Sequence, residues 1–130
     1  MTKQNGCLTN KSFLSREVLL FLQFKIENMA DLTQEEWTKK LSEDSNAVIL
    51  DVRTPEEIEE GIIKGAMHID IYTGQAFVDE LQKLDKSKNY YVYCRSGNRS
   101  GQACAIMNSL GFDNAYNLQG GVLEWEGDLS

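Results

Sequence analysis

Cys94 closes an apolar run, Tyr90-Tyr91-Val92-Tyr93, and is followed at once by Arg95, Ser96, Gly97, Asn98, Arg99 and Ser100. A short loop running from a strand into a helix can turn successive backbone N–H groups toward one point and form an anion-binding nest. The helix N-terminus adds partial positive charge at the same point. Gly97 supplies freedom in φ, and Asn98 is the next most tolerant residue. A thiol at the centre of such a ring has a lowered pKa and is partly thiolate at neutral pH. The ring suits a sulfur anion, an added sulfane sulfur or a bound oxyanion. The chemistry indicated is a nucleophilic cysteine activated by dipoles and arginines rather than by a histidine base.

The remaining cysteines read differently. Cys104 falls inside an apolar helical stripe, the setting of a small core residue, and Cys7 has no context. Three cysteines without C-x-x-C spacing are neither a disulfide framework nor a zinc site, and they fit a reducing, cytoplasmic setting. No metal or other cofactor is expected. His68 is the only histidine and reads as a hydrogen-bonded structural residue.

The elements that must hold Cys94 form an α/β pattern. Thr33 with Glu36 is a capping box that opens a helix in "LTQEEWTKKLSE". "AVILDV" (47–52) is a nearly continuous apolar strand, the pattern of one covered on both faces. Thr54, Pro55 and Glu57 start a helix over "TPEEIEEG" (54–61). "GAMHIDI" is a short strand candidate, "AFVDELQKL" a helix, and "YYVYC" (90–94) the second strong strand. "SGQACAIMNSLG" is a helix that starts near Ser100 and is stopped by Gly111. "NAYNL" is a further strand, and "QGGVLEWEG" a glycine turn with a short helix. Strands separated by helices of this length pair in parallel through right-handed crossovers, with helices on both faces. Ligands of such sheets sit at the carboxyl ends of the strands, where Cys94 falls.

A chain of 130 residues fits one domain. Residues 29–130 are expected to form it, with residues 1–28 an N-terminal extension that is helical or mobile. "SREVLLFLQFKIEN" has an apolar run too short to span a bilayer and lacks the small-residue cleavage site of a signal peptide. Met29 is an alternative start. Four of the 13 basic and two of the 20 acidic residues lie in positions 1–28, so positions 29–130 carry 9 against 18. That surface excludes a nucleic-acid partner, which needs clustered Lys and Arg, and no membrane partner is expected. Against it, Arg95 and Arg99 in one short loop mark a local anion site; the alternative for each is a solvated surface charge.

Five motifs, in order, resemble the rhodanese family of sulfurtransferases over about residues 32–126. "CRSGNRS" resembles the family's active-site loop, whose cysteine carries a persulfide. "LDVRTPEEIEEG" resembles its D-V-R motif, "IKGAMHI" its G-A-x-[NH]-[IL] segment, "YYVYC" the strand entering the loop, and "LQGGVLEW" its L-x-G-G-x-x-x-W signature. Gly61-Ile62-Ile63 departs from the usual G-H-I. The resemblance implies a five-stranded parallel sheet flanked by helices, and a ping-pong reaction through a Cys94 persulfide. A small anionic donor such as thiosulfate would bring the sulfur, and cyanide, a thiol or a protein would accept it. Arg95 would attract the donor, Arg99 orient the loop or assist binding, and the backbone from Ser96 to Ser100 hold the persulfide. Asp51 and Arg53 would brace the site, with Glu57 the candidate partner of Arg53; an ordinary surface ion pair is the alternative.

Two other readings compete. Cysteine phosphatases of the dual-specificity type, and arsenate reductases, separate cysteine and arginine by five residues. Cys94 and Arg99 are separated by four, a smaller cradle suited to a single sulfur. A rhodanese-like module can also bind without catalysis, typically where the cysteine is replaced. Here it is present.

Overall fold

The computed structural model describes Arg16, Glu17 and residues 31–130. Five strands form one parallel sheet in the order β1-β5-β4-β2-β3. They are β1 (Asp31–Leu32), β2 (Ala47–Asp51), β3 (Met67–His68), β4 (Asn89–Tyr93) and β5 (Asn114–Leu118). Between them lie α1 (Gln34–Ser42), α2 (Pro55–Ile58), α3 (Gln75–Gln82) and α4 (Asn98–Ser109), with single 3-10 turns at Ile71–Thr73 and Val122–Glu124. The extension expected over residues 1–28, its helix, Cys7 and the alternative start at Met29 lie outside the described residues, Arg16 and Glu17 apart. Among the described residues, no helix is long and apolar enough to cross a membrane.

Both capping boxes form. The Thr33 side chain accepts from the Glu36 amide at 3.2 Å, and the Glu36 carboxylate accepts from the Thr33 amide at 3.1 Å. Thr54 and Glu57 repeat the arrangement, with Pro55 at the first helical position. The second helix is a single turn rather than the longer element expected over 54–61. Its chain turns at Gly61, where φ is +121°, and no buried residue on it anchors a further turn. The two-residue strand β1 carries too little pattern for sequence periodicity to register.

Strand alternation divides the core into two layers. Leu50, Tyr90, Val92, Cys94 and Ala115 face α3 and α4, packing with Phe77, Leu81, Ala103, Cys104, Met107 and Phe112. Tyr91, Tyr93, Tyr116 and Leu118 face the other way, toward α1 and the C-terminal segment, around Trp37. Near-continuous apolar strands follow from this double coverage. Strand β4 lies in the middle, in register with β2 from Ala47↔Asn89 to Asp51↔Tyr93 and with β5 from Asn89↔Asn114 to Val92↔Asn117. Cys94 therefore emerges at the carboxyl edge from the centre of the sheet.

Trp37 organises the second layer. It is fully buried, donates its indole N–H to the Tyr116 carbonyl at 3.2 Å, and stands edge-on to Tyr91, Tyr93 and Trp125. Truncating a buried tryptophan removes transfer energy and leaves a cavity. Trp37→Ala is expected to cost about 3–5 kcal/mol in denaturant unfolding; a loss below about 1 kcal/mol would mean the layer does not depend on it.

Candidate active site

The Cys94 side chain is fully buried at the base of the loop. Three donors converge on its sulfur: the Gly97 amide at 3.1 Å, the Ser100 amide at 3.4 Å and the Ser100 hydroxyl at 3.3 Å. The Ser96 amide adds a weaker favourable interaction with the thiolate. Burial pushes the thiol pKa up, but donation from Ser100, Gly97 and Ser96 outweighs it and holds the pKa below the ordinary value. Helix α4 begins at Asn98, two residues before the expected start, so its N-terminus sits closer to the sulfur. Gly97 makes this possible with φ +100°, in the left-handed region; a Cβ there would also lie 3.2 Å from the Leu118 oxygen and the Gly120 nitrogen.

The loop is held from outside by the turn after β5. The Val122 amide donates to the Cys94 carbonyl at 3.0 Å, and the Leu123 amide to the Arg95 carbonyl at 2.9 Å. Both bonds require the chain to pass very close at Gly121, where a Cβ would lie 2.5 Å from the Arg95 oxygen. The double glycine is thereby tied to the thiol loop, a connection that nothing local in the sequence reveals.

The charged residues sort into three roles. Arg99 forms a bidentate pair with Glu57, at 2.7 and 2.9 Å, and lies over the Tyr72 ring at 5.5 Å. Arg99 lowers the Glu57 carboxyl to about 2, helped by donation from Thr54 and opposed by burial. The expected pairing of Arg53 with the Glu57 side chain does not occur. Arg53 instead wraps back onto Asp51, with its Nε 3.0 Å from both carboxylate oxygens and its terminal nitrogen at 2.8 Å. Both of these side chains are essentially buried, so the pair is not a surface salt bridge. Arg53 also donates to the backbone carbonyls of Glu57 and Gly61. The swap follows from which carboxylate is engaged: Asp51, at the end of β2, takes the Arg53 guanidinium, whereas the Glu57 carboxylate is held by Arg99 and Thr54. Arg95 is exposed and makes no ion pair with any described residue.

Other expected residues lie near the loop in different capacities. Asn98 is exposed, and its amide lies 3.5 Å from the Ser96 hydroxyl rather than at the sulfur. The His68 ring nitrogen hydrogen-bonds the Arg53 carbonyl at 2.6 Å. Cys104 is buried among apolar side chains, which pushes its thiol up to about 12. Among the described residues, no cluster of three His, Cys, Asp or Glu side chains is placed to hold a metal ion. Sequence reasoning missed Asn117, a buried polar residue on β5 that bonds to Ser100. Its signal is a polar side chain inside a strand covered on both faces, which has to find partners.

The chain is similar to known proteins over most of its described residues. The model of the rhodanese-like domain family matches residues 34–128. A putative sulfurtransferase of Bacillus subtilis is 37% identical over 90 residues, covering 69% of this chain and 84% of that protein. A sulfurtransferase of Allochromatium vinosum is 30% identical over 95 residues, covering 73% and 86%. The crystal structure of a rhodanese-like domain protein from Staphylococcus aureus superposes with a TM-score of 0.65 at 32% identity, covering 78% of this chain and 97% of that one.

The Glu57–Arg99 pair sets a pH dependence. A carboxyl whose folded pKa of about 2 lies below its ordinary 4.5 contributes stability that is complete above the ordinary value and lost as pH falls toward 2. Thermal melts are expected to show the wild type losing stability across that window more steeply than Glu57→Gln. Parallel curves would mean the pair adds nothing to the fold.

Proposed function

This chain belongs to the rhodanese-like family, and from that membership and the Cys94 loop we propose that it transfers sulfane sulfur through a Cys94 persulfide. The observation that carries the reading is the convergence of the Gly97 and Ser100 donors on one buried sulfur. In the first half-reaction the Cys94 thiolate attacks the outer sulfur of thiosulfate. A new S–S bond forms, the old one breaks, and sulfite leaves with its electron pair. In the second half, a nucleophilic acceptor attacks the outer sulfur of the persulfide. That S–S bond breaks, and its electron pair returns to Cys94 as thiolate. Cyanide accepts the sulfur as thiocyanate; a small thiol or a protein thiol accepts it as a persulfide.

The loop amides suit both halves, because each has an anionic sulfur to hold. The outer sulfur of a persulfide stands about 2 Å beyond Cys94, which brings the reacting atom from the buried base of the loop toward its mouth. Arg95, exposed and free of ion pairs with described residues, is the cation that draws an anionic donor in. Arg99 holds the loop through Glu57 instead of touching the donor. That commitment also disfavours phosphatase chemistry, where the loop arginine must turn inward onto an oxyanion. A binding module without catalysis would gain nothing from a thiol stabilised as its anion. The transferase unit is residues 29–130, and its free thiols suit the reducing cytoplasm.

Initial rates with thiosulfate and cyanide test this. The expected pattern is ping-pong, with turnover abolished in Cys94→Ser. Arg95→Ala is expected to raise KM for thiosulfate about two- to fivefold with kcat retained, the size of one exposed charge interaction. Turnover that survives Cys94→Ser would rule out the persulfide route.

A further inference from the structure

Ser100 carries one hydroxyl proton and has two acceptors in reach. Its oxygen lies 3.3 Å from the Cys94 sulfur and also hydrogen-bonds the Asn117 side-chain oxygen, Oδ1, across the interface of α4 with β5. Cys94 and Ser100 are fully buried and Asn117 is 5% exposed, so solvent does not readily supply a second donor. One proton cannot serve both acceptors.

The orientation of Asn117 decides the contest. Its Nδ2 donates to the Asp31 carboxylate on β1 at 2.8 Å and to the Gly97 carbonyl at 3.0 Å. Turning the amide over would aim its oxygen at a carboxylate and a carbonyl, neither of which has a proton to give. Oδ1 is therefore held toward Ser100.

We infer that Asn117 is a positioning residue for the Cys94 nucleophile: it competes with the sulfur for the Ser100 proton, and Asp31 and the Gly97 carbonyl hold it in that role. While Cys94 is a neutral thiol, Ser100 donates to Asn117 and is free to accept from the S–H. When Cys94 ionises, the Ser100 proton turns to the sulfur and Asn117 Oδ1 loses its donor. The cost of that lost bond offsets part of what the hydroxyl gives the thiolate. A second consequence rests on the persulfide reading. Once the outer sulfur carries the charge, the inner sulfur no longer needs the hydroxyl and Ser100 returns to Asn117. Asn117 thus favours the loaded state over the free thiolate.

Other charged or titratable groups surround the sulfur and are left unchanged by substitution at 117. Arg99 on α4 is tied to Glu57 on α2, Arg95 is exposed in the loop, and Cys104 lies one helical turn beyond Ser100. Asp51 at the end of β2 is neutralised by Arg53. Asp31 is exposed, so water replaces the donor it would lose.

The test is the titration of Cys94 in the full chain. It is followed by thiolate ultraviolet absorbance, taken as the difference from the matching Cys94→Ser protein, with folding checked by circular dichroism. Asn117→Ala and the closer-sized Asn117→Leu are each expected to lower the Cys94 midpoint by about half to one pH unit, the scale of one redirected hydrogen bond. Neither is expected to shift it when Ser100→Ala is also present. An unchanged or raised midpoint in a folded Asn117 variant, or the same drop without the Ser100 hydroxyl, would overturn the inference. Ser100→Ala alone provides an arm that leaves position 117 intact. It is expected to raise the midpoint by less than about half a unit, because the proton is already contested; a rise above about one unit would mean the hydroxyl serves the sulfur unopposed and would overturn the inference. These titrations use no sulfur donor, so a failure of thiosulfate turnover would leave the Asn117 result standing on its own.

Discussion

Holding a sulfur anion out of water needs hydrogen bonds, because burial by itself drives a thiol toward its neutral form. Cys94 is fully buried and yet its pKa lies below the ordinary value, so the donors around it set its chemistry. Most of those donors are backbone amides, whose positions depend on the chain path. The left-handed Gly97, the helix start at Asn98 and the close passage of Gly121 all serve that path. A side chain could be swapped with local consequences. A displaced backbone would move several donors together.

The basic residues near the site show how an acidic chain uses its few cations. Arg53 is taken inside, where Asp51 and two carbonyls satisfy it, and it stiffens the chain leaving β2. Arg99 is turned toward Glu57 and Tyr72, fastening the first turn of α4 to α2. Only Arg95 of the three stays in solvent. Positive charge at the mouth of the loop and neutralised charge beneath it would let an anion approach without pulling the loop out of shape.

Much of this was readable in the sequence, for identifiable reasons. The strands 47–52 and 90–94 stand out because both faces are covered, and Thr33 and Thr54 announce helices through reciprocal caps that need only neighbouring residues. The thiol loop is also local in one respect: the donors that reach the Cys94 sulfur come from within the next six residues. What could not be read depends on contacts between distant segments. The family resemblance offered Glu57 as the acid for Arg53; the actual partner of Glu57, Arg99, is 42 residues away. Asn117 meets Ser100 on one side and Asp31 on the other only because β5 lies between β4 and β1. The two-residue strand β1 exists because the longer β5 offers it an edge.

The account is tested most directly by the intact mass of the purified protein after treatment with thiosulfate, and again after cyanide. It predicts a gain of one sulfur atom that cyanide removes and that Cys94→Ser does not acquire. A wild-type protein that gains no sulfur from thiosulfate or polysulfide, or a gain that persists in Cys94→Ser, would contradict it.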